Sequence, residues 1–102
     1  MSFTNRMFGV EIEGFNVSRQ TITNTLSTLV AANSISRGWI VKNDASIINV
    51  EHPFEINSPI LYGESGLREI EVVCREINRL GARVNKTCGL HVHVDARDLP
   101  TA

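Results

Sequence analysis

No apolar stretch in this 102-residue chain approaches the ~20 residues that cross a bilayer. The opening MSFTNRMFGVEIEG also lacks the basic region and apolar run of a signal peptide, so the expectation is a cytoplasmic protein with no membrane partner. Charge of neither sign dominates: ten Lys and Arg stand against eleven Asp and Glu, without runs, for a formal net charge of −1. That balance lacks the basic footprint of a nucleic-acid binder and leaves small molecules or proteins as partners. Cysteine is scarce, only Cys74 and Cys88 with no C-x-x-C spacing, and nothing calls for a disulfide. Repeats, linkers and low-complexity segments are also missing. With 42% hydrophobic residues the chain can build one modest core, which predicts a single domain over residues 1–102.

What is present is alternation and helical periodicity. In MFGVEIEGF, Val10 and Ile12 point one way and Glu11 and Glu13 the other, the period of a half-buried strand. Ser18 is placed to cap a helix running to about Ala32, with Ile22, Leu26, Leu29 and Val30 as its apolar stripe. WIVKNDASIINV reads as a hairpin of two short strands around a turn at Asn43, Asp44 and Ala45. PFEINSPIL reads as a further strand, with Phe54, Ile56 and Ser58 on one side and Glu55 and Asn57 on the other, weakened at its far end by Pro59. From Ser65 to Leu80 the apolar residues fall at i, i+3 and i+4, and Gly81 sits where a helix C′ residue belongs. ARVNK and GLHVHVDA complete the set as strands. The order predicts an α+β fold, a mostly antiparallel sheet with two helices packed on one face.

The other face carries the chemistry. Glu11 and Glu13, Glu55, and His91 and His93 all lie on the polar side of a strand, four of the five in x-ligand-x-ligand pairs. Residues two apart on a strand stand about 6.5 Å from one another, so a pair can grip one ion or serve two neighbouring ones. Two carboxylates ~7 Å apart repel by roughly 0.6 kcal/mol in water but about 2.4 kcal/mol at an effective dielectric near 20. In a cleft that excludes water, the pair therefore favours a cation or a raised pKa. Carboxylates with imidazole suit Mg²⁺ or Mn²⁺, with Zn²⁺ as an alternative. The same alternation is also how a solvated sheet face reads, and the five residues make one site only if their strands are neighbours. Asp44 and Ser46 could hold a water or a substrate group but are first explained by the turn; Lys42 and Lys86 could meet phosphate but are first explained by solvation; Cys88 is explained by packing and Trp39 by the core.

FGVEIEGF, WIVKNDASI, FEINSPIL followed by YGESGL, and GARVNKTCGLHVHVDARDL, in this order from Phe8 to Leu99, resemble the amidoligase family, relatives of the glutamate–cysteine ligases and glutamine synthetases. The resemblance implies part of a glutamine-synthetase-like catalytic fold and an ATP-dependent carboxylate–amine ligase that works through an acyl phosphate. Its implied cofactors are Mg²⁺ or Mn²⁺ and ATP; its implied partners are small-molecule or peptide carboxylates and amines. By position, Glu11, Glu13 and Glu55 would be metal ligands, and His91, with His93 beside it, would meet metal or nucleotide phosphates. Members of the family that the chain resembles continue well past the histidine strand, so the expectation is the N-terminal part of a longer catalytic domain, or else a short protein that keeps the metal half and has lost catalysis, with an incomplete sheet that invites a homo-oligomer. Two other readings compete: a metal-dependent hydrolase using the same cluster to activate water, and a non-catalytic interaction domain whose sheet edge pairs with another subunit.

Overall fold

The structure, a computed structural model of the chain, describes residues 6–44, 47, 49–84 and 90–94. Its elements run β1 (Met7–Gly14), α1 (Arg19–Ala31), β2 (Ile40–Lys42), β3 (Phe54–Asn57), β4 (Leu61–Tyr62), α2 (Gly63–Arg79) and β5 (Leu90–Val94). Every strand pairing is antiparallel, so the α+β class holds with the two expected helices.

β1 lies inside the sheet. Glu11 and Ile12 each pair with β3 and with β5, which must therefore lie on opposite edges of β1; Phe8 is likewise shared by β4 and β5. β3 and β4 thus occupy one edge as a single interrupted strand, and their register with β1 slips by one residue between them. Ser58 repairs the interruption: its N–H donates to the Val10 carbonyl at 3.0 Å and its Oγ accepts from the Val10 N–H at 2.9 Å. Pro59 follows at the bulge, where its missing N–H costs no ladder bond.

Phe8, Val10, Ile12, Phe54 and Ile56 form the buried side of the sheet, and α1 and α2 cover it with Ile22, Leu26, Val73 and Ile77. Ser18 caps α1 by accepting from the Thr21 N–H at 3.2 Å, so the predicted start holds. Gly81, at φ 100°, ends α2 in a Schellman motif, with its own N–H donating to the Asn78 carbonyl and the Ala82 N–H to that of Ile77. The first turn of α2 lies close against the sheet: a Cβ on Gly66 would stand 2.8 Å from Leu61 Cβ and 3.0 Å from Phe8 Cζ. Glu69, one turn on, clamps α2 to the segment after α1, accepting from Ser36 N–H at 2.7 Å, Ser36 Oγ at 2.5 Å and Trp39 Nε1 at 3.1 Å.

The hairpin expected within WIVKNDASIINV does not form among the described residues. β2 instead pairs with β3, across a connection from Asn43 to Pro53. Asn49 and His52 adopt φ of 61° and 51°, which breaks any extended run there, while Asp44 and Ile47 are buried rather than displayed on a turn. ARVNK is reduced, within the described residues, to a bridge between Arg83 and Phe15. Ala45, Ser46, Lys86, Cys88 and Gly89 lie outside the described residues.

Candidate metal centre

The register that buries Val10 and Ile12 against the helices turns Glu11 and Glu13 to the open face, because side chains alternate along a strand. Pairing then assembles the rest. Glu13 stands opposite Glu55 on one side, and Glu11 opposite His91 on the other, with His93 opposite Gly9. All five residues singled out in the sequence thus share one face across three neighbouring strands. One carboxylate oxygen from each of Glu11, Glu13 and Glu55 lies within 4.8 Å of the others. The imidazoles approach diagonally: His91 Nε2 is 3.6 Å from Glu13 Oε1, and His93 Nε2 is 3.6 Å from Glu11 Oε1. Those separations lie just beyond hydrogen-bond length.

Solvent exposure grades across the cluster. The side chains of Glu13 and Glu11 are 15% and 36% exposed, while those of His91 and His93 are 53% and 66% exposed, so the carboxylates form the floor and the imidazoles the rim. Glu13 accordingly holds its proton more tightly than an ordinary carboxylate. Loss of hydration is the largest cause, the charge of Asp44 adds to it, His91 opposes it, and Glu55 and Glu11 contribute further repulsion.

The donor set fits a hard divalent cation. Oxygens bound to one Mg²⁺ at ~2.1 Å lie at most about 4.2 Å apart, so carboxylates already within 4.8 Å need only small rotations to converge. The three carboxylates favour Mg²⁺ or Mn²⁺, and the two rim imidazoles are compatible with Mn²⁺ or Zn²⁺.

One contributor, Asn57, escaped the reading of the sequence. Asn57 donates from Nδ2 to Glu55 Oε2 at 2.7 Å, fixing that carboxylate's orientation. Its position two residues after Glu55 on the same strand face was the available signal. Asp44, first explained as a turn residue, is 7% exposed and close enough to Glu13 to raise its pKa. Lys42 is the register neighbour of Glu55 and places a cation on the same face. Trp39 belongs to the core, as expected, and His52 lies apart beside Arg19 and Val41.

Fold and face together define an α+β protein with an acidic, imidazole-rimmed site on an antiparallel sheet. The family model described as "Putative amidoligase enzyme" matches residues 4–102, and the chain belongs to that family, a family of ligases by its description. No curated protein and no solved structure matches the chain. Among the described residues, no helix is long and apolar enough to cross a membrane.

Proposed function

We propose that the chain carries the metal and nucleotide site of an ATP-dependent carboxylate–amine ligase. The observation that carries this reading is the convergence of Glu11, Glu13 and Glu55 to within 4.8 Å on one sheet face, with His91 and His93 at its rim. Family membership supplies the reaction class.

In the proposed reaction a substrate carboxylate oxygen attacks the γ-phosphorus of ATP, and the bond from that phosphorus to the β-bridging oxygen breaks, releasing ADP. The amine nitrogen then attacks the acyl carbon, the carbon–oxygen bond to phosphate breaks, and the amide forms as the nitrogen gives up a proton to solvent. Bound Mg²⁺ or Mn²⁺ would neutralise charge on the transferring phosphoryl group. Glu11, Glu13 and Glu55 would hold the ion, and Asn57 would keep Glu55 turned toward it. His91 and His93, on the more exposed rim, would meet phosphate oxygens.

A titration with Mn²⁺, followed by electron paramagnetic resonance with and without ATP, tests the reading against a Glu11→Gln, His91→Ala double variant. The expected result is specific Mn²⁺ binding that ATP strengthens and the variant loses. Tight Zn²⁺ binding indifferent to ATP would move the site to the hydrolase reading. Absence of specific metal binding with or without ATP would sink the proposal.

A further inference from the structure

The site face has a second part that the metal cluster does not use. Four residues before Glu11 on the same face of β1 stands Met7, and its register partner is Tyr62 on β4. Both are large and apolar, and both are open to solvent, Met7 at 43% and Tyr62 at 57% exposed. Their strand neighbours Phe8 and Leu61 are buried at 2% and 3%, so the exposure belongs to this face and not to a frayed strand end. Between Met7 and Glu11 lies Gly9, opposite His93. A Cβ at Gly9 would meet nothing closer than Ser58 Oγ at 3.7 Å, so neither packing nor positive φ excludes a side chain there. Lacking one, Gly9 leaves a shallow floor between the cluster and the Met7–Tyr62 pair, the situation in which a strand glycine admits a ligand close to the backbone.

Resting on the ligase reading above, we propose that Met7, Gly9 and Tyr62 form the platform for the heterocyclic base of the nucleotide whose phosphates the cluster holds. The spacing supports this. Gly9 and Met7 lie about 7 and 13 Å along the strand from Glu11, the reach of a nucleoside triphosphate laid along β1. A planar base has an apolar face that an exposed aromatic ring and a polarizable thioether can cover, and stacking of this kind tolerates different bases. The platform therefore contributes affinity for a nucleoside over a bare polyphosphate.

Tyr62 is the sole tyrosine of the chain, so its ring resonances need no sorting from others. Ring shifts would be followed by NMR on addition of MgATP or Mg²⁺ with inorganic tripolyphosphate, and affinities measured for wild type, Tyr62→Ala and Gly9→Val. MgATP is expected to move the Tyr62 ring resonances and tripolyphosphate to leave them in place. Both variants should bind MgATP about tenfold more weakly, with tripolyphosphate and metal affinities unchanged. Phosphate binding that stays equal for ATP and tripolyphosphate, with no effect of either variant, overturns the platform while keeping the metal–phosphate site. Absence of binding by both phosphates overturns the platform together with the ligase reading. Tyr62 resonances that move with protein concentration and not with MgATP would assign the patch to a second copy of the chain, and would also overturn it.

Discussion

Replacing Glu13 by Gln removes one charge from the crowded floor of the site while keeping its shape. In the metal-free protein, a pair of carboxylates 4.8 Å apart repels by about 3.5 kcal/mol at an effective dielectric of ~20 and by about 0.9 kcal/mol at that of water. For Glu13 loss of hydration is the larger cost of its charge, the charge of Asp44 comes next, His91 offsets part of it, and Glu55 and Glu11 add smaller repulsion, screened by the solvent that reaches this face. A net gain of about 1–2 kcal/mol is the expected scale, which for a domain of this size raises Tm by roughly 4–16 °C. The pH dependence has a definite sign. A carboxylate whose folded pKa is raised binds its proton more readily folded than unfolded, so its contribution is greatest below its unfolded pKa and is lost as pH climbs through the raised value. Thermal unfolding followed by circular dichroism, in a chelator, should show Glu13→Gln more stable than wild type at pH 7 and the two converging below the ordinary carboxylate range. Added Mn²⁺ should reverse the ranking, because only wild type gains a full ligand set. A variant less stable than wild type in chelator at neutral pH would refute the reasoning, since it would mean that the ionised carboxylate is held as a favourable ion pair with His91.

Two further substitutions address the frame that presents the site. Glu69→Gln leaves Ser36 and Trp39 without their charged acceptor and should cost about 2 kcal/mol, read as a lower urea midpoint with an unchanged m-value and with Mn²⁺ affinity retained. Gly14→Ala puts a Cβ 2.7 Å from Phe54 Cζ and 2.8 Å from the Arg83 carbonyl oxygen, directly beside Glu13; a loss of about 1–3 kcal/mol in the same urea assay is expected.

Local patterns in the chain were enough to reveal β1, α1, β3, α2 and β5, because each carries its own period and, for the helices, its own end signals. Ser18 and Gly81 act on neighbours within a few residues, and that locality makes them readable. The polar alternation of Glu11–Glu13 and His91–His93 was legible for the same reason. Register was not. That Glu13 faces Glu55 depends on a pairing across forty-two residues, and nothing local in FEIN specifies which strand it joins. The hairpin misreading has the same origin: polar residues between two apolar runs resemble a tight turn, whereas Asp44 and Ile47 turn inward and positive φ at Asn49 interrupts the second run. Asn57 reads as an ordinary polar strand residue until its amide is seen to hold Glu55.

The placement of the carboxylates argues for a ligand more strongly than their number does. Acidic residues on an exposed loop or sheet edge can splay apart at little cost, but Glu11 and Glu13 sit on a strand paired along both edges, with its other face fixed against two helices. The backbone cannot relax away from the repulsion without giving up ladder bonds and the burial of Val10 and Ile12. The fold therefore holds negative charge together in a rigid frame and leaves only side-chain rotation to bring the oxygens onto a cation, so little ordering has to accompany binding. On the metal-binding reading proposed above, a frame of that kind would destabilise the empty protein and stabilise one loaded with a cation. Stability measured with and without a divalent ion thus reports on the site as directly as a binding isotherm does, and it does so before any substrate has been identified.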